Sequence, residues 1–151
     1  MSATKTAAII GSSGGNLFHS GGGDPSKLLN EIAEQCRAAG IAVEAALFVA
    51  ASGSMDQTAA STTAELYEWS GGAQAFRRRE AGPLEEVNRQ AELQDADIAA
   101  LIEQGRIDGL ILMSCDPLGT NRRSIEAAVR RGLPIVGTGG TSMGRVRSMG
   151  A

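Results

Sequence analysis

The sequence predicts an α/β fold, a Rossmann-like (flavodoxin-like) three-layer sandwich around a mostly parallel sheet of four or five strands. Three observations predict it. Short apolar runs at residues 6–10, 41–49, 110–113 and 135–136 have the length and composition of strands buried on both faces. Amphipathic stretches of helical period separate them. Each run passes directly into glycine and small polar residues, as happens where a parallel strand opens onto a loop at the carboxyl edge.

Taken in order, the first run ends in Gly11-Ser12-Ser13-Gly14-Gly15-Asn16, a turn suited to presenting backbone N–H groups to an anion. The connection continues through His19 to Gly23, long for a βα loop. Asp24 and Pro25 are residues suited to opening a helix. Leu28, Leu29, Ile32, Cys36 and Ala39 recur at helical spacing before Gly40 closes the run. Cys36, on that stripe, reads as a core residue.

The second strand, 41–49, leads into Ser52 and Ser54. Residues 51–83 read as a less regular insertion, with a short helix over 58–69 and a turn at Gly71-Gly72; Tyr67, Trp69 and Phe76 there pack onto the core or form a lid or oligomer contact. Residues 83–104 read as a helix interrupted near Gln94-Asp95, with Leu84, Val87, Ala91, Ile98, Leu101 and Ile102 as its apolar stripe. The third strand, 110–113, precedes a helix over 121–131 with Ile125, Ala128 and Val129 facing inward. Pro134 then opens the fourth strand.

Composition bounds the rest. A chain of 151 residues with 42% apolar content is one domain, 1–151. Only 3% of it is aromatic, so aliphatic residues must fill the core. A net charge of −3 disfavours nucleic acid or an anionic membrane as the main partner, and Arg77–Arg79 reads as a solvated face. Neither a signal segment nor a membrane-spanning run is evident, and two cysteines with one histidine form no metal spacing. The expectation is a cytoplasmic protein with no metal site. After residue 139 a glycine-rich loop leads to a helix barely begun. The sheet therefore implies either a fragment of a longer chain or a homo-oligomer whose neighbour covers the exposed edge.

If the four strand ends converge, they gather Ser12, Ser13, Gly14, Gly15, Asn16, Ser52, Ser114, Thr120, Asn121, Thr138, Gly139, Gly140, Thr141 and Ser142. This set is rich in N–H and hydroxyl donors and poor in general bases, which suits a phosphate, a nucleotide or sugar hydroxyls. Thr120 or Asn121 would cap the following helix and point its positive end at the ligand. Turn chemistry alone also selects these residue types. Neither glycine loop has dinucleotide or P-loop spacing, so the cofactor is unspecified. Cys115, at a strand end, is a candidate nucleophile or phosphocarrier, with Asp116 and His19 as candidate partners; each also has an ordinary reading as a strand-end, turn or surface residue.

Leu101-Ile-Glu-Gln-Gly-Arg-Ile-Asp-Gly-Leu-Ile-Leu-Met-Ser, with Gly132-Leu-Pro-Ile-Val, resembles the amino-terminal lobe of periplasmic-binding-like and LacI-type sugar-binding proteins. The resemblance spans residues 6–50 and 84–138. It implies the fold and a small polar ligand at the strand ends, with Asp116 as a hydroxyl ligand. The chain departs from that family in lacking a second lobe and a DNA-binding region. Cys115-Asp-Pro-Leu-Gly-Thr is more faintly similar to the phosphorylated cysteine loop of phosphotransferase IIB domains, although there the strand is normally the first. Three functions stay open: a ligand-binding module, an enzyme or phosphocarrier using Cys115, and a self-assembling structural protein.

Overall fold

The computed structural model describes residues 5–13, 25–52, 63–113 and 118–137. In chain order these form β1 (Lys5–Ser13), α1 (Pro25–Ala38), β2 (Ile41–Ser52), β3 (Thr63–Ser70), β4 (Ala75–Pro83), α2 (Leu84–Glu103), β5 (Gly109–Met113), α3 (Arg122–Arg130) and β6 (Ile135–Gly137). The fold is α/β. One six-stranded sheet runs in the order β4-β3-β2-β1-β5-β6. Strands β2, β1, β5 and β6 are mutually parallel, and β3 and β4 are joined to them by two antiparallel pairings.

Strand β1 lies in the middle because its residues tolerate burial on both faces: every position from Ala7 to Ser13 is buried. Successive side chains alternate between faces. Ala8 and Ile10 join Leu47, Val49, Leu66 and the buried residues of α2 and α3. Ile9 joins Phe48, Tyr67, Phe76 and the Leu29, Ala33 and Cys36 stripe of α1 on the other face. Thus α1 covers one side of the sheet while α2 and α3 cover the other. Cys36 is a core residue, 4% exposed, as its place on the apolar stripe indicated. Leu28 is not inward; it is 41% exposed, because the stripe turns through Leu29 and Ala33 instead.

The region between β2 and α2 differs most from expectation. No helix forms over 63–69. Thr63–Ser70 is a strand, and with β4 it makes a hairpin that extends the sheet to six strands. Leu66 enters one core and Tyr67 the other, so consecutive side chains are buried on opposite faces, which a strand allows and a surface helix does not. The turn places Gln74 at φ 54, and the Gln74 side-chain amide donates to the Gly71 carbonyl at 2.7 Å. Trp69 and Phe76 then face each other edge to face, ring centres 5.7 Å apart. On edge strand β4, Arg77, Arg78 and Arg79 are exposed and bonded to Glu68 and Glu65. Charged side chains of this kind blunt a sheet edge against further pairing.

Helix α2 is continuous, without a break at Gln94-Asp95. Its buried positions Val87, Ala91, Asp95, Ile98 and Ile102 form one stripe, with Asp95 the single charged member. On α3 the buried residues are Ser124, Ala127 and Ala128, whereas Val129, expected inward, is 49% exposed. The fully buried residues of α3 are small, Ile125 packs partly buried beside them, and Val129 lies on the outer face. The run at 110–113 is the fifth strand of the sheet, not the third.

Candidate functional site

The sheet changes direction at β1. From β1 the chain crosses by α1 to β2 on one side, and later returns by α2 to β5 on the other. Ligands of open α/β sheets bind outside the carboxyl ends of the strands at such a point. Strand β5 ends at Met113, opposite Gly11, while β1 continues beside β2 for two more residues. Ser12 and Ser13, which the sequence placed in a loop, are therefore the last residues of a central strand. They lie opposite Val49 and Ala50 and are 0% and 3% exposed. Within β1, Gly11 has φ 152, a value that favours glycine.

The connection entering α3 folds back onto this strand end. The Leu118 amide donates to Ser12 Oγ at 3.1 Å, joining residues 106 apart in sequence. Gly119, at φ 71, then turns the chain toward α3. Thr120 and Asn121 follow, 2% and 0% exposed. Thr120 Oγ1 donates to Asn121 Oδ1 at 3.4 Å, and Asn121 Nδ2 donates to Asp95 Oδ1 at 3.5 Å.

Asn121 does not cap α3 with its side chain. Asn121 occupies the cap position without a side-chain cap bond, because Asp95 of α2 takes that role from across the interface. Asp95 Oδ2 accepts the Arg123 amide at 2.9 Å, and Oδ1 accepts the Ser124 amide at 3.3 Å as well as the Ser124 hydroxyl. A carboxylate at a helix amino end satisfies otherwise orphaned donors and complements the helix dipole. Burial pushes the Asp95 carboxyl above its ordinary value, and the bonds from Ser124, Arg123 and Asn121 partly offset that rise. The amino end of α3 is thus spent within the fold. Asp95 and Ser124 escaped the sequence reading, although one signal was present: an acidic residue in register with an otherwise apolar helical stripe.

Four of the expected site residues, Ser12, Ser13, Thr120 and Asn121, meet at this edge between β1, β5 and α3. Ser52 ends β2 at the same edge, opposite Thr63 of β3. Gly14, Gly15, Asn16, His19, Ser114, Cys115, Asp116, Thr138, Gly139, Gly140, Thr141 and Ser142 lie outside the described residues. Cys36 is the free cysteine among the described residues, and burial pushes its thiol up, away from nucleophilic use. Among the described residues no group of three metal-ligating side chains occurs, and no helix is long and apolar enough to cross a membrane.

A hollow of about 290 Å³ lies at the other end of the sheet, between α2 and the β2–β3 pair, around Glu44, Glu68, Trp69, Arg79 and Asp97. Glu68 there binds Arg77 at 3.0 Å and accepts from Gln94 at 3.4 Å, and Glu44 pairs with Arg106 at 3.1 Å. These bonds tie the hairpin and β2 to their neighbours, and the hollow sits at the amino half of β2, away from the switch point. Comparison with family models, with curated proteins and with solved structures found no match.

Proposed function

We propose that this protein binds a small anionic or polyhydroxylated ligand, of the sugar phosphate, nucleotide or sugar class, at the carboxyl edge of its parallel strands. The fold reading that accompanies this is a Rossmann-like three-layer sandwich, and the setting is cytoplasmic. One observation carries the proposal. Two buried serines end the central strand at the switch point, and the β5–α3 connection is bonded directly to one of them. Small hydroxyl side chains at the carboxyl end of a central strand both donate and accept hydrogen bonds, which suits a phosphate or a sugar hydroxyl.

A thermal-shift screen against phosphate, sulfate, nucleotides, sugars and sugar phosphates tests it. A ligand at about a hundred times its Kd adds roughly 2.7 kcal/mol of stability. A Tm rise with one class, reduced in Ser13→Val, supports the reading. The absence of a rise with every class defeats it. The same screen with Cys115→Ser separates a binding module from a cysteine-dependent enzyme.

A second reading, self-association, has its own observation. On the face that carries α1, Ile41, Ile111, Pro134 and Val136 border an apolar hollow of about 180 Å³, and Val136 is 50% exposed. A partner copy would remove that surface from water. Sedimentation that depends on concentration in the wild type and is abolished in Val136→Glu supports this reading. A monomer at all concentrations excludes it.

A further inference from the structure

We propose that Asp95 is a specificity-determining residue of this site and that it selects an uncharged polyhydroxylated ligand, of the sugar class, over a phosphorylated one. The inference rests on the carboxyl-edge reading above and narrows its ligand class. The amino end of a helix is ordinarily a ready seat for a phosphate, because its first amides are unpaired and its dipole favours negative charge. At this edge the seat is filled from within the fold. Asp95 Oδ2 accepts the Arg123 amide at 2.9 Å, and Oδ1 accepts the Ser124 amide at 3.3 Å and the Asn121 side-chain amide at 3.5 Å.

The same bonds place this carboxylate beside the residues of the proposed site. Asp95 touches Asn121 directly, Thr120 bonds to Asn121, and Leu118 of the same connection is bonded to Ser12 at the end of β1. The N–H groups of Asn121, Arg123 and Ser124 aimed at Asp95 favour its ionised form. The fold therefore holds a negative charge where an anion would otherwise be welcome. Asp95 is 2% exposed, and salt screens a buried charge far less than a surface one. Arg122 and Arg123 begin α3 but are exposed, so solvent and salt weaken their pull on an anion.

A phosphate arriving at this edge meets repulsion from Asp95 and finds the Arg123 and Ser124 amides engaged. A sugar hydroxyl carries no charge to be repelled, and it donates as well as accepts. Asp95 thus has two effects that experiment can separate. Loss of the cap weakens the binding of every ligand alike, whereas loss of the charge changes the ratio between charged and uncharged ligands.

The test uses wild type, Asp95→Asn and Asp95→Ser in the full chain, at a temperature where circular dichroism shows all three folded. Both replacements are uncharged and still accept an amide hydrogen bond. The probes are D-ribose and D-glucose with ribose 5-phosphate and glucose 6-phosphate, at about physiological ionic strength. Wild type should bind a free sugar more tightly than the corresponding phosphate. In both variants the affinity for the phosphate relative to the sugar should rise about tenfold, even where both affinities fall. Tighter binding of a sugar phosphate than of its sugar by wild type would overturn the inference while leaving the carboxyl-edge site standing. An unchanged ratio in the variants would overturn it too, because Asp95 would then be a cap and nothing more. If no probe binds wild type, the uncharged class is wrong and the inference falls; phosphate and nucleotides in the wider screen then decide the site itself.

Discussion

Asp95, midway along α2, accepts the backbone amide of Arg123 at 2.9 Å and so caps a helix that begins 27 residues later. This bond links two layers of fact. It explains how a carboxylate is tolerated 2% exposed within an apolar stripe, and it fixes the height at which α3 starts beside the sheet. The position of Thr120 and Asn121 at the carboxyl edge depends on it.

Asp95→Ala should therefore be costly. It removes a cap and leaves the Arg123 and Ser124 amides and the Ser124 hydroxyl without their acceptor. Together these predict a loss of about 2–3 kcal/mol, read as a lower urea midpoint at unchanged m-value. A loss within about 0.5 kcal/mol, the range of ordinary surface substitutions, would mean that α3 is capped in another way.

The pH dependence of stability should show two carboxyls of opposite sign. Asp108 accepts from the Thr6 amide at 2.8 Å and from the Thr6 hydroxyl at 3.1 Å, which holds it below its ordinary value of 3.8. Its contribution is present at neutral pH and is lost as pH falls through the depressed folded value. The gap in Tm between wild type and Asp108→Asn should therefore close well below pH 3.8. Asp95 is raised, so its linked contribution is complete only below 3.8 and declines as pH rises through the folded value. The gap between wild type and Asp95→Asn should widen on acidification from neutral pH. Parallel behaviour of the two variants would contradict these assignments.

The hairpin offers a local reporter, because Trp69 is the only tryptophan. Phe76 is 4% exposed and packs edge to face against it. Phe76→Ala should cost about 3 kcal/mol and shift Trp69 emission to the red in the native state. An unchanged emission maximum would mean that the hairpin is not seated on the α1 face as described.

Cys36 should be chemically silent. Its thiol is 4% exposed and pushed above its ordinary value by burial. Mass mapping after alkylation of native protein should find Cys36 unmodified, and modified only once urea unfolds the chain. Rapid native labelling of Cys36 would contradict its place in the α1 core.

Much of the fold was legible because helical and strand periods were strong where burial is one-sided or complete. The α1 stripe through Leu29 and Cys36, the apolar run of β5, and the closing glycines Gly40 and Gly132 at φ 79 and 68 all followed from local rules. The hairpin was illegible for a physical reason. Leu66 and Tyr67 are adjacent and both buried, so neither the alternation of a half-exposed strand nor a helical stripe is visible, and only pairing with β2 decides the outcome. Asp95 was misread as a break because charge at a buried position makes sense only once α3 stands opposite it. At the candidate site the residue types located the edge. They did not separate Ser12, bonded inward to Leu118, from a side chain held open for a ligand, since that distinction is set by contacts across 106 residues.

The central claim is one of location, so the most direct measurement is an amide NMR titration of ¹⁵N-labelled protein with the ligand class that raises Tm. Shift changes should concentrate at Ser12, Ser13, Leu118, Thr120 and Asn121. Changes centred on Glu44, Glu68 and Trp69 at the opposite end of the sheet, with Ser12 and Asn121 unmoved, would contradict it.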